Sequence, residues 1–211
     1  MRTRTVWTSI VLLAATFAGW TYLALHTAWL SWLDYPSTTV GPAPTSLLGQ
    51  VGAAIALIFD PWVVYPVVLI VGILAWRAGH ERFTWAAVLA VILGVTADRY
   101  LKPYFGRERP PFKLPLITSE GLAYPSVHMV AITIAAVLMT VAWRVFGRAQ
   151  LGLFTIGTFA VVVLIGWDRY IVRAHYTTDI VAGVLVGAVV ALVCVGLTRP
   201  EVRPRRRPRR R

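Results

Sequence analysis

The sequence predicts an all-α integral membrane protein with six transmembrane helices, both termini cytoplasmic, and a disordered basic C-terminal tail. Three observations carry this. Hydrophobic residues make up 57% of the chain and charged residues only 14%, whereas soluble domains run at roughly 45–50% and about 25%. The apolar residues gather in six runs close to the length, about 20 residues, that a helix needs to cross a bilayer. Eight tryptophans, Trp7, Trp29, Trp32, Trp62, Trp76, Trp85, Trp143 and Trp167, fall near the ends of those runs, as an interfacial aromatic belt requires. This composition excludes an intrinsically disordered chain and argues against an ordinary soluble domain.

The first run, from about Val6 to Trp29, follows Arg2 and Arg4. Its basic start resembles a signal peptide, but the apolar stretch is too long and no small-x-small cleavage site follows, so it reads as a retained helix. Asp34, Pro36, Gly41, Pro42 and Pro44 mark residues 31–46 as a loop. Leu47 to Phe59 is apolar but short, suited to the interface or to an extension of the next span. The second span covers Pro61 to Trp76, the third Phe83 to Tyr100, the fourth Ser126 to Trp143, the fifth Leu151 to Trp167 and the sixth Thr178 to Leu197. A Pro-rich polar stretch from Lys102 to Pro125 separates the third from the fourth.

Six spans place both termini on one side. Arg2, Arg4, Arg77, Arg82, Arg144, Arg148 and the tail belong to that side, which the positive-inside rule makes cytoplasmic. The domain then covers residues 1–198 and the tail 199–211. The tail carries eight arginines against Glu201, more than half of the net charge of +12. Pro204 and Pro208 argue against a helix there, and a juxtamembrane Arg cluster suits topology or anionic lipid better than nucleic acid. Cys194, the only cysteine, lies in an apolar run and reads as a small buried hydrophobe.

The polar residues of the opposite, outward side gather at three span ends. His175 and Asp179 are four apart, a helical neighbour spacing. A carboxylate there can fix one imidazole tautomer and leave the other nitrogen free as nucleophile or base. Pro125 and Ser126 look like a helix start, with Ser126 as cap and His128 in the first turn. Such an N-terminus favours phosphate. Lys102, Arg109 and Arg169 add positive charge suited to phosphate oxygens, while Arg107, Lys113 and Arg173 read as headgroup contacts. Two histidines, a carboxylate, several cations and a helix N-terminus compose a site for phosphoryl transfer. Asp34, Asp60, Asp98, Glu108 and Glu120 are scattered in sequence, so neither a metal site nor another cofactor is expected.

These clusters resemble the signature of the type 2 phosphatidic acid phosphatase superfamily of lipid phosphate phosphatases. Lys102, Arg109 and Pro110 match its first motif, Lys, six residues, Arg-Pro. Pro125, Ser126, Val127 and His128 match its second, Pro-Ser-Gly-His, with Val127 in the Gly place. Arg169, His175 and Asp179 match its third, with Asp168 where the family has Ser. The resemblance implies that His175 attacks phosphorus, that Asp179 orients it, and that His128 protonates the leaving oxygen and then activates water. It implies that Lys102, Arg109, Arg169, the Ser126 hydroxyl and backbone amides near Val127 hold the phosphate. Val127 narrows the approach, and Asp168 either locks Arg169 or repels the phosphate.

The expected function is a metal-independent membrane lipid phosphatase with its site facing outward from the plasma membrane. A polyprenyl pyrophosphate such as undecaprenyl pyrophosphate is the first expectation for its substrate. Phosphatidic acid, phosphatidylglycerophosphate, a lipid-dependent phosphotransferase and a non-catalytic lipid-phosphate-binding relative are the alternatives. The expected partners are the lipid substrate and the bilayer, with anionic lipid for the tail and no nucleic acid. The oligomeric state is not legible.

Overall fold

The computed structural model describes residues 3–38, 41–111, 121–147 and 149–200. Arg2, Lys113, Glu120, Arg148 and the tail from residue 201, with its expected disorder, lie outside the described residues. Among the described residues every regular element is helical. The order is α1 (Thr3–His26), a short α2 (Ser31–Asp34) running into a 3-10 turn (Tyr35–Thr38), α3 (Leu47–Ile58), α4 (Pro61–Arg77), α5 (Glu81–Phe105), α6 (Val127–Val145), α7 (Leu151–Ile171) and α8 (Thr177–Thr198).

Helices α1, α5, α6, α7 and α8 are each long and apolar enough to cross a membrane. Helices α3 and α4 are bent by 42° at their junction and make a sixth span if counted together. The cause of the bend is local. Pro61 has no N–H to continue the ladder of α3, and the Asp60 carboxylate instead caps α4 by accepting the Trp62 N–H at 2.8 Å. The Leu47–Phe59 stretch is thus a helix of its own, entered through Ser46, whose hydroxyl accepts the Gly49 N–H.

The third expected span needs correction. It runs past Tyr100 to Phe105 and stops at Gly106, whose φ of 63° is the left-handed conformation that ends helices. Lys102 therefore sits in the last turn of α5 rather than in a loop.

Helix α6 is the centre of the bundle, packed against α4, α5, α7 and α8, while α1 lies along α8 and α3 along α7. In lipid, helices associate by close packing rather than by hydrophobic expulsion from water, so small residues mark the contacts. Gly183 and Gly187 of α8 are such residues. A Cβ at Gly183 would lie 2.5 Å from the Ser126 carbonyl oxygen, and one at Gly187 2.7 Å from that of Val130. This seam sets the start of α6 against the start of α8. Outward-facing apolar side chains such as Val11, Val67, Ile70, Leu153 and Phe159 are exposed, as a lipid-facing surface requires. Cys194 is buried and unpaired.

Candidate active site

The site is built from the ends of four helices. Helix α7 ends in a turn, residues 172–176, that places His175 just before the first turn of α8. His175 is 1% exposed. Its Nδ1 faces Asp179 Oδ2 at 3.6 Å, an ion-pair separation rather than a hydrogen bond. Its Nε2 lies 3.3 Å from Arg109 Nη1. A guanidinium can only donate, so Nε2 is the accepting nitrogen and the imidazole proton belongs on Nδ1, toward the carboxylate. Burial, followed by the charges of Arg109, Arg169 and Lys102, holds the His175 pKa well below the ordinary histidine value. The ring is neutral at pH 7.

Arg109 is tied down by donation to the Ala174 carbonyl at 2.8 Å and the Gly121 carbonyl at 3.1 Å. Burial pulls its pKa below the usual guanidinium value, with Asp179 opposing. Arg169 is as buried as His175, and its Nε donates to Asp168 Oδ2 at 2.9 Å while Nη2 meets the same oxygen. Asp168 therefore pairs with Arg169 and fixes it. Lys102 pairs with Asp98 one turn back, at 2.9 Å.

The start of α6 is joined to α8 by the Ser126 N–H, which donates to the Asp179 carbonyl at 3.1 Å. Ser126 occupies the N-cap position, as expected, but its hydroxyl does not cap the helix. Oγ is buried and makes no hydrogen bond among the described residues, which suits it to an oxyanion. The first N–H groups of α6 have no intrahelical acceptor. Val127 follows as the first helical residue and is absent from the positive-φ positions, so the backbone there does not demand glycine. His128 sits one residue on, with Nε2 3.8 Å from Asp60 Oδ2. It lies within electrostatic range of Arg169, His175, Arg109 and Lys102. The same helix ends thus converge two imidazoles, three cations and an unsatisfied hydroxyl. Chemically this arrangement can hold a tetrahedral oxyanion against a neutral ring nitrogen.

The PAP2 superfamily model matches residues 83–203, more than half of the chain and all three motif clusters. The chain belongs to the PAP2 superfamily. Among solved structures, the protein is similar to the first transmembrane PAP2 type phosphatidylglycerolphosphate phosphatase from Bacillus subtilis. The similarity has a TM-score of 0.68 at 21% identity, over 94% of this chain and 96% of that one. At that identity the likeness concerns the fold. No curated protein matches the sequence. PAP2 membership supports a membrane phosphatase, with several apolar helices in a multi-pass arrangement.

Two sequence readings within this PAP2 site change. His175 and Asp179 do not share a helix face: His175 precedes α8, and Asp179 is its third residue, with Oδ2 accepting the Tyr176 N–H at 2.9 Å. The carboxylate thereby looks back over the helix start at the imidazole. Arg107 is not a headgroup contact. Its Nη1 donates to Asp179 Oδ1 and to Thr178 Oγ1, both at 2.6 Å, and its Nη2 to Asp34 Oδ2 at 2.6 Å. Arg173 has a φ of 53° and donates to the Tyr170 carbonyl, with its guanidinium over the Tyr170 ring. Asp34, Thr178 and Trp20, whose Nε1–H donates to the Thr178 carbonyl at 3.0 Å, had no local sequence signal. The sequence reading passed over the Gly183-x-x-x-Gly187 spacing, a helix-packing signal that marks the α8 face set against α6.

Proposed function

We propose that this protein is a lipid phosphate phosphatase working through a phosphohistidine at the outer face of the plasma membrane. The observation that carries this is the buried neutral His175 between Asp179 on Nδ1 and Arg109 on Nε2. On substrate binding Arg109 turns its N–H from Nε2 to a phosphoryl oxygen, and the Nε2 lone pair so released attacks phosphorus. The bond from phosphorus to the leaving oxygen breaks, and protonated His128 gives its proton to that oxygen. His128 then takes a proton from water, the water oxygen attacks phosphorus, and the phosphorus–nitrogen bond breaks to release inorganic phosphate. Arg109, Arg169, Lys102, the Ser126 hydroxyl and the N–H groups at Val127 stabilise the charge on the phosphoryl oxygens, which is most of what catalysis of phosphoryl transfer demands.

The substrate is a lipid phosphate whose headgroup reaches the outward helix ends, and a polyprenyl pyrophosphate is the first choice. In that case attack on the terminal phosphorus leaves the prenyl monophosphate. Phosphatidylglycerophosphate is the second choice, favoured by the fold likeness to the Bacillus subtilis protein. Both termini face the cytoplasm in this reading, because Arg4, Arg77, Arg82 and Arg144 lie at the ends opposite the site.

Phosphate release by the purified protein in detergent with excess EDTA tests the proposal. Undecaprenyl pyrophosphate, a short prenyl pyrophosphate, phosphatidic acid and phosphatidylglycerophosphate form the panel. The expected result is release that vanishes in His175→Ala and is inhibited by vanadate. Turnover surviving in His175→Ala, or activity lost on chelation and restored by Mg²⁺, would overturn it.

A further inference from the structure

We propose that Asp34 and Arg107 are positioning residues that act on His175 through Asp179, an assignment that rests on the phosphohistidine reading above. Asp34 lies on α2, outside the 83–203 segment matched by the PAP2 model. It is buried. Its Oδ1 accepts the Thr178 N–H at 2.9 Å and its Oδ2 accepts the Thr178 hydroxyl at 2.7 Å. A buried N–H of the first turn of α8 is thereby capped from a residue far away in the chain, whereas the N-cap hydroxyl of α6 has no hydrogen-bond partner among the described residues. An anion is consequently steered to α6 and not to α8.

Arg107 links the two carboxylates. Its fork spends three N–H donors on Thr178, Asp179 and Asp34, of the five a guanidinium has. Its plane lies over the Tyr176 ring, 4.1 Å from the centroid. Burial works against the Arg107 charge, but Asp179 and Asp34 outweigh it and hold its pKa above the ordinary value. Arg107 is therefore committed to the scaffold.

The consequence for Asp179 is geometric and electrostatic. Arg107 takes Oδ1, and Oδ2 is left with the Tyr176 N–H and the view of His175 Nδ1. The carboxylate cannot rotate without breaking a charge-assisted bond. A lone Asp179–Arg107 pair would be neutral. Asp34 restores one net negative charge behind the imidazole, where the phosphohistidine develops positive charge. Among the described residues, the other charged or titratable groups that act on His175 and Asp179 are Arg109, Arg169, Lys102 and His128, with the phenols of Tyr124 and Tyr176.

The test compares Asp34→Asn, Arg107→Gln and Arg107→Lys in the full chain. Four quantities are read: kcat and KM on the best substrate, thermal stability in detergent, and the His175 imidazole titration by NMR with ¹⁵N-labelled histidine. Asp34→Asn should lower kcat at least about tenfold with KM within about twofold, and move the His175 titration to lower pH. Arg107→Gln should also lower kcat but move the titration to higher pH. Arg107→Lys should keep the titration near wild type while still losing kcat, because the charge survives and the fork does not. A merely structural clasp between α2 and α8 would change stability alone. Shifts of the same sign in Asp34→Asn and Arg107→Gln, or unchanged kcat and titration in both, would overturn the proposal. The NMR titration needs no turnover, so a failed substrate panel would sink the phosphatase reading without deciding this one.

Discussion

Gly183→Ala tests whether the α6–α8 seam sets the geometry of the site. The added Cβ would stand 2.5 Å from the Ser126 carbonyl oxygen and 2.7 Å from Met129 Cβ. Ordinary contact begins at 3.4 Å, so the carbonyl must retreat by 0.9 Å or more. That carbonyl is backbone and accepts the Val130 N–H in the first turn of α6. It cannot swing away as a side chain could, and the start of α6 must shift. The shift carries Ser126 and His128 away from His175 and Asp179, and strains the Ser126 N–H bond to the Asp179 carbonyl. A misplacement of about 1 Å can cost roughly 10²-fold in rate, or about 2.7 kcal/mol of transition-state stabilisation. Overpacking of this kind costs about 1–3 kcal/mol of stability, which need not unfold the bundle. The assay is phosphate release at saturating substrate, with thermal melting to show that the variant is folded. Gly19→Ala, where no atom lies within 4 Å of the added Cβ, is the control. If folded Gly183→Ala keeps activity within about twofold of Gly19→Ala, the seam does not position the site and the argument fails.

Two further predictions concern charge. Asp168→Ala leaves the buried Arg169 guanidinium without its ion pair. Breaking a buried pair in this way typically costs about 3–5 kcal/mol, so the melting temperature should fall clearly; an unchanged melt would mean that Arg169 finds another partner. For pH, the depressed His175 pKa makes the folded state bind fewer protons than the unfolded chain. Its contribution to stability is present above the unfolded value of about 6.5 and is lost as pH falls from there toward the folded pKa. The nucleophile stays neutral over that same interval. The acid limb of kcat/KM set by His175 should therefore lie below pH 6.5, measured as kcat/KM against pH with His175 labelled to assign the limb; a limb at or above that value would contradict the burial of the ring.

Composition made the membrane class legible and hydropathy placed the spans roughly, while the motif residues stood out through the family resemblance. Hydropathy is a property of local runs, and His175, Asp179, Ser126, His128, Arg109 and Arg169 stand at span ends where polar residues demand a reason. What escaped was the non-local. Arg107 looked like one more interfacial cation because its two carboxylate partners lie 72 and 73 residues away. Asp34 looked like loop chemistry, and its hydrogen bonds to Thr178 span 144 residues. The sequence left Asp168 with two opposite outcomes, and the pairing with Arg169 decided between them. It also left Leu47–Phe59 without a place; the Asp60–Pro61 break made it a separate helix, laid against α7 with Gly52 close to Asp168 Oδ1.

By itself, then, the sequence determined that the chain is helical and membrane-spanning, because that follows from apolar run length, and it marked by motif the residues proposed to meet a phosphate. Only the tertiary structure decided how those residues are aimed. Aim depends on close backbone approaches such as Gly183 on Ser126, and on ion pairs between segments distant in the chain. Local pattern shows neither which partner a small residue meets nor which distant carboxylate an arginine reaches.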